Sequence, residues 1–92
     1  MISKELSATL GFAVREAKKR RHEYVSVEHI LFAILYDPVG IEVVENCGGN
    51  VESILGNIEN FFEEKIEKIP EGSEYVLQQT IGFQRVIQRA VS

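Results

Sequence analysis

A stripe of apolar residues between positions 27 and 35 constrains the fold of this chain more than any other feature. Its members recur at i, i+3, i+4, i+7 and i+8, the spacing of one helix face: Val27, Ile30, Leu31, Ile34 and Leu35. Ser26 comes just before the stripe, where its hydroxyl is placed to accept a bond from an unpaired backbone N–H. Asp37 and Pro38 follow, and proline ends a helix because it lacks an N–H and restricts the residue before it. The pattern therefore predicts a helix from Val27 to about Tyr36 with one face in a core.

Four more segments carry a helical pattern, so the sequence predicts an all-α bundle of about five helices. The first of these segments ends in a run of cations, which suit the negative end of a helix dipole. Asn50 is placed to cap the fourth helix, and Thr80 lies where the fifth begins. Proline, glycine and serine within residues 70–79 predict a linker loop there. The additional helices are expected from about Ser3 to Arg20, from Gly40 to Asn46, from Val51 to about Ile66, and from about Thr80 to the last residues.

Composition narrows the class of protein. A length of 92 residues allows one domain at most. The net charge of −4 argues against nucleic acid as a partner, because phosphate binding requires a basic surface. No apolar run reaches the roughly 18 residues that a membrane span requires, and Lys4 and Glu5 interrupt any signal-peptide core. Cys47 is the only cysteine, as is usual in a reducing cytosol. We therefore expect a cytoplasmic protein whose partners are neither nucleic acids nor membranes.

Two histidines and two glutamates flank the predicted helix start and are the clearest candidates for a chemical site. His22 and Glu23 precede the cap, whereas Glu28 and His29 follow it. Imidazoles and carboxylates suit zinc, but this spacing differs from the HExxH pattern that places two histidines one turn apart. The spacing favours a structural interpretation, in which His22 and Glu23 form a solvated helix end and His29 is a partly buried capping or core residue. No metal is expected, and a protein-contact role for the carboxylates stays open.

Cys47 is the candidate nucleophile for an enzyme, provided that a histidine lies beside it. Its sequence neighbours include no cation that would favour the thiolate. Free cysteines are usually buried and behave as small apolar residues. We therefore expect Cys47 to be buried at a helix end, without a catalytic role.

Phe12 and Phe32 fall off the main apolar faces of their helices on a helical wheel. Either they pack against other helices, which is the ordinary case, or they line an exposed apolar surface on which a partner docks.

The chain resembles the N-terminal domain of the Clp/Hsp100 AAA+ unfoldases, and within that family the ClpA branch. The resemblance spans all 92 residues. It is carried by "RHEYVSVEHILFAIL" at 21–35, the break at Pro38, Cys47 before the next loop, and "FQRVIQRAV" at 83–91. It implies an all-helical domain of two similar repeats: a first repeat over 1–69, a linker over 70–79, and the first helix of a second repeat over 80–92. On this view the sequence stops within the second repeat.

The resemblance also implies a function in recognition, without catalysis by this segment. The family domain binds protein substrates and the ClpS adaptor, and the full-length protein works with the ClpP peptidase. ATP and Mg belong to the ATPase modules, so no cofactor is expected in residues 1–92. The positions that match the adaptor-facing residues of the family are Glu23, Glu28, Thr80 and Arg85. For Thr80 a helix N-cap, and for Arg85 an ordinary exposed helix position, are alternatives that are compatible with binding.

Two other functions remain open. One alternative is a stand-alone helical interaction protein that forms a homodimer through an exposed apolar face. A small metal- or cysteine-dependent enzyme would need His22, His29 or Cys47 together in one pocket.

Overall fold

The computed structural model describes residues 4–91, which form five helices and one two-stranded sheet. This confirms the predicted all-α class. Ser3 and Ser92, at the ends of the first and last predicted helices, lie outside the described residues. In chain order the elements are α1 (Lys4–Lys19), β1 (Tyr24–Val25), α2 (Val27–Ile34), α3 (Pro38–Asn46), α4 (Val51–Lys65), β2 (Gln78–Gln79) and α5 (Ile81–Val91). No helix among these residues is long and apolar enough to cross a membrane.

The helix boundaries follow the caps that the sequence carries. The Asn50 side chain accepts a bond from Ser53 N at 3.0 Å, which confirms the predicted cap of α4. The predicted start of the third helix at Gly40 is wrong by two residues. Asp37 accepts from Val39 N at 2.9 Å, and Pro38 occupies the first turn, where its missing N–H costs nothing.

The linker over 70–79 is irregular except at its end, where β2 pairs in parallel with β1. The register places Tyr24 opposite Gln78 and Val25 opposite Gln79. The prediction of a loop is therefore wrong for residues 78–79. Because the strand has two residues and both are exposed, it shows none of the apolar alternation by which a strand is predicted.

The core has two clusters that meet at α2. The first cluster joins α1, α2 and α5, and the second joins α2 and α4. Phe12 packs against both of them, and Phe32 is buried in the second. The prediction that these two phenylalanines pack against other helices is confirmed. The buried members of the first cluster are Leu10, Ala13, Ala17, Val25, Ile30, Ala33 and Phe83, and those of the second are Phe32, Leu35, Ile58, Phe62 and Ile66.

Candidate functional site

The junction between α1 and α2 lies directly beside the start of α5. Gln78 N donates to Glu23 O at 3.0 Å, and Thr80 N donates to Val25 O at 3.1 Å. These two bonds extend the β1–β2 pairing and fix the chain just before α5. The Thr80 hydroxyl then accepts from Phe83 N at 3.1 Å, so its interpretation as an N-cap is confirmed. The ladder therefore holds two parts of the chain, more than fifty residues apart in sequence, at one surface.

The close approach of α2 and α5 depends on Gly82. A Cβ added there would lie 3.1 Å from Val27 Cγ2, which is tighter than ordinary van der Waals contact. Phe83 follows Gly82 and is buried in the first core cluster, so α5 is anchored at its first turn. The N-terminal turns of both helices thus present one continuous surface.

All four residues predicted to face an adaptor lie on these joined elements. Glu23, Glu28 and Thr80 are half-buried, and Arg85 is exposed on α5. Glu23 and Thr80 belong to the ends of the paired strands, whereas Glu28 is in the first turn of α2. Within residues 4–91, neither carboxylate nor Arg85 takes part in an ion pair. The charged groups at this surface are therefore free to pair with charges on another molecule.

Behind the surface, His22 and His29 form a buried hydrogen-bonded pair. His22 Nδ1 lies 2.8 Å from His29 Nε2, and neither residue has any exposed surface. The Phe62 ring stacks on His29 at 4.4 Å between centroids. The prediction that His22 belongs to a solvated helix end is wrong, because a bridge to Lys68 draws this segment under the C-terminal end of α4. His29 is fully rather than partly buried.

The cap of α2 uses the His29 side chain as well as Ser26. Ser26 N donates to His29 Nδ1 at 3.0 Å, and Ser26 Oγ lies 3.0 Å from the same nitrogen. This is the half of a capping box in which the side chain three residues on satisfies the N-cap backbone donor. The sequence identified Ser26 as the cap and missed the imidazole as its partner.

Burial keeps both histidines neutral. It lowers the pKa of His29 to about 3, with smaller contributions from His22 and Arg20. Burial also lowers the pKa of His22. The positive charges of Arg20 and Lys68 lower this pKa further, whereas the negative charges of Glu59 and Glu16 raise it. Neutral imidazoles are able to bind metals, but residues 4–91 include no group of three or more His, Cys, Asp or Glu arranged to hold one. The geometry gives the pair a structural rather than a ligating role.

Cys47 caps the C-terminal end of α3, so its predicted place at a helix end is confirmed. The prediction that it is buried is wrong, because its side chain is exposed. In the part of the chain that the structure describes, no hydrogen bond joins Cys47 to either histidine, and both imidazoles are fully buried whereas Cys47 is exposed. This arrangement offers no Cys–His pair for nucleophilic catalysis.

The described residues form a small helical domain in which a two-residue parallel ladder joins the α1–α2 junction to the start of α5. The chain matches the model of the Clp repeat (R) N-terminal domain family over residues 1–92, and it belongs to that family. It is 34% identical over 91 residues to a ClpA homolog protein of Fuscovulum blasticum. That alignment covers 96% of this chain and 11% of the relative, so the chain spans about a ninth of the relative's length. The resemblance found in the sequence is thereby confirmed.

Proposed function

We propose that this domain is the adaptor- and substrate-recognition part of a ClpA-like unfoldase and has no catalysis of its own. It binds a ClpS-type adaptor through the surface formed by Glu23, Glu28, Thr80 and Arg85, which we call the junction surface. The observation that carries the proposal is the β1–β2 ladder, in which Gln78 N donates to Glu23 O and Thr80 N donates to Val25 O. Family membership supports it, because the matching relative is a ClpA homolog.

The chemistry of the junction surface suits a specific protein contact. Its carboxylates and guanidinium have no internal partners among the described residues, so each is available for a charge-assisted bond. One exposed ion pair contributes only about 0.2–1 kcal/mol, so several must act together around an apolar centre. Val27 and Ile81 supply that centre, with 41% and 69% of their surfaces exposed at the starts of α2 and α5.

The remaining functions of the longer protein follow from the same proposal. ATP hydrolysis with Mg and docking to ClpP are assigned to the parts that correspond to the rest of the relative's length. Residues 1–92 then need no cofactor, and the protein works on cytoplasmic protein substrates. Nucleic acids and membranes are not proposed as partners, because the net charge is −4 and the described helices are too short or too polar to span a bilayer.

The direct test is charge reversal at the carboxylates. We expect Glu23→Lys together with Glu28→Lys to weaken binding of a purified ClpS-type adaptor at least tenfold in calorimetry, through lost pairing and new repulsion. Glu45→Lys together with Glu64→Lys, the same change in charge at exposed positions on α3 and α4, is the control and leaves affinity within twofold. Unchanged affinity in the double variant would remove the junction surface from the proposal.

A homodimer is the second candidate, and the exposed apolar side chains favour it. Ile81 and Val27 lie close together, since a Cβ added at Gly82, the neighbour of Ile81, would lie 3.1 Å from Val27 Cγ2. Two copies could bury these side chains across a two-fold axis. Light scattering on the 92-residue chain at millimolar concentration distinguishes a monomer from a homodimer, and a monomeric mass argues against the dimer.

A further inference from the structure

We infer that the buried hydrogen bond between His22 and His29 positions Glu23 relative to Glu28, so that both histidines are positioning residues for the junction surface and their protonation releases it. The inference rests on the proposed function for its consequence in binding. Its structural half, the control of the 23–28 segment by the histidine pair, is testable without any partner.

The positions of the two histidines in the sequence let their hydrogen bond hold the two ends of segment 23–28 together, an arrangement that we call the clamp. His22 is the residue before Glu23, and His29 is the residue after Glu28. The bond of 2.8 Å between the two rings closes the six-residue segment between them into a loop. Ser26 N, in the middle of that segment, donates to the same His29 ring. Both carboxylates are therefore carried by a segment that is fixed at its two ends and at its middle.

The backbone N–H of Ser26 determines which ring nitrogen carries the proton in both His29 and His22. A backbone N–H can only donate, so His29 Nδ1 must accept, and neutral His29 carries its proton on Nε2. That Nε2–H donates to His22 Nδ1, and neutral His22 therefore carries its proton on Nε2. His22 Nε2 is buried and has no hydrogen-bond partner among the described residues. The hydrogen bonds therefore run from His29 to His22, and the last donor, the Nε2–H of His22, has no partner among the described residues.

One added proton breaks part of this clamp. A proton on His22 Nδ1 would face the His29 Nε2–H, donor against donor. The pair is able to keep its central bond if the His29 proton moves from Nε2 to Nδ1, but Nδ1 then no longer accepts from Ser26 N. Either the end clamp or the middle attachment is lost. A second proton makes both rings cationic and removes the central bond in every arrangement.

The charged groups around the pair determine how strongly it resists protonation. Arg20 at the end of α1 and Lys68 after α4 oppose a further positive charge, whereas Glu16 on α1 and Glu59 on α4 favour it. Both carboxylates are already bonded to Arg20. From the linker, the Tyr75 hydroxyl faces the His22 carbonyl and donates to it at 2.7 Å. The pair therefore stays neutral near pH 7 and opens in acid.

The first experiment measures the clamp in the 92-residue chain alone. Nitrogen-15 NMR of the imidazoles at pH 7.5 should show protons on Nε2 of both His22 and His29. On acidification, the backbone amide shifts of Glu23 and Glu28 should follow the midpoint of the histidine titration. The Glu64 amide, on the outer face of α4, is the control and should not follow it. Amides of Glu23 and Glu28 that ignore the histidine midpoint would overturn the inference.

The second experiment adds a purified ClpS-type adaptor and compares variants by calorimetry. His22→Asn keeps an acceptor close to the position of Nδ1 and removes the titrating ring, so it should retain affinity within about threefold and lose much of the pH dependence. His29→Leu removes the clamp and the Ser26 attachment, and should weaken binding at least tenfold. Ratios of variant to wild type at each pH cancel the titration of the adaptor itself.

A stability control separates positioning from general damage. Ile54→Ala removes apolar contact from the second cluster two turns before Phe62, so it lowers stability without touching either imidazole. It should bind as wild type at a temperature where all variants are folded. His29→Leu binding like Ile54→Ala would overturn the inference while leaving the proposed function intact. No binding by any protein would remove the proposed function, and the NMR result would still decide the clamp.

Discussion

The guanidinium of Arg20 ties the end of α1 to α4 through hydrogen bonds and ring contacts. It bonds Glu59 Oε1 at 2.8 Å and Glu59 Oε2 at 3.1 Å, and its Nε bonds Glu16 at 2.9 Å. It also lies over the rings of Phe32 and Phe62 at 5.0 and 5.2 Å. The Glu59 hydrogen bond raises its pKa, so the charge is permanent. The forked, planar group satisfies all of these contacts at once.

Arg20→Lys tests that geometry at constant charge. A lysine cannot form the bidentate bond to Glu59 or stack on both rings, so we expect the free energy of unfolding to fall by about 1–2 kcal/mol. Urea denaturation followed by circular dichroism measures it. Arg15→Lys, on the exposed side of the same helix, is the control and should cost less than about 0.5 kcal/mol. Equal losses in the two variants would mean that the fork contributes nothing.

The two buried histidines make stability depend on pH with a defined sign. Their pKa values are lower in the folded chain than the usual 6.5, so the unfolded chain binds more protons below that pH. The stabilisation is complete above pH 6.5 and is lost as pH falls toward about 3, the folded pKa of His29. At pH 5, His29 alone should cost about 2 kcal/mol.

Urea midpoints at pH 7.5, 6 and 5 check this second prediction. His29→Gln has no titrating ring and should flatten the profile, even though it lowers stability at pH 7.5. If the wild-type urea midpoint does not decrease as the pH is lowered from 6.5 to 5, the assigned protonation states are contradicted.

Among the elements, the linker is held far more firmly than its composition suggests. Arg21, with a left-handed backbone at φ 55°, donates from its guanidinium to Ile69 O at 2.8 Å and to Pro70 O at 2.9 Å. Its guanidinium lies 4.9 Å from the centroid of the Tyr75 ring. Tyr75 in turn donates to His22 O at 2.7 Å. These contacts hold the linker against the α1–α2 junction and place β2 where it pairs with β1.

Tyr75→Phe removes one hydroxyl from that arrangement. The His22 carbonyl loses a partly buried hydrogen-bond partner, which costs about 1 kcal/mol. We expect the ladder amides of Gln78 and Thr80 to exchange with solvent several times faster, as measured by hydrogen exchange with NMR. Tyr36→Phe removes a hydroxyl from a side chain that is 59% exposed, and should leave both rates unchanged. Unaltered exchange in Tyr75→Phe would show that the linker does not support the ladder.

Local sequence predicted the elements that local interactions determine. The Asn50 and Thr80 caps lie within three residues of the N–H groups that they bind, so propensity and spacing were sufficient. The burial of His22 depends on Glu67 and Phe62, some forty residues away, through the Glu23 N to Glu67 O bond of 2.8 Å and ring contact. The cations that precede His22 in the sequence instead suggested that it belongs to a solvated helix end. The same limit applies to β2, whose partner strand is more than fifty residues distant.

In the whole molecule, α5 is the least firmly attached of the helices that build the junction surface. Phe83 is its only buried residue among 81–91, and it lies in the first core cluster. The helix carries Arg85, whose position therefore depends on Phe83 and on the partly buried Val86 and Ile87, whereas Thr80 is also held by its backbone bond to Val25. Opening of α5 alone would leave the second cluster intact, because that cluster joins α2 and α4.

Phe83→Ala should therefore separate the two parts of the molecule. Truncating a buried phenylalanine costs about 3–5 kcal/mol, and the other α5 residues that pack on the first cluster, Val86 and Ile87, are only partly buried. We expect hydrogen exchange of the α5 amides to accelerate at least a hundredfold while α4 amides near Phe62 stay protected. Adaptor affinity should fall with the population of docked α5. Ile81→Ala truncates an apolar side chain of the same helix that is 69% exposed, and should leave exchange unchanged. Uniform acceleration in both helices would mean that the domain unfolds as one unit, and that Arg85 is held by the whole core rather than by Phe83.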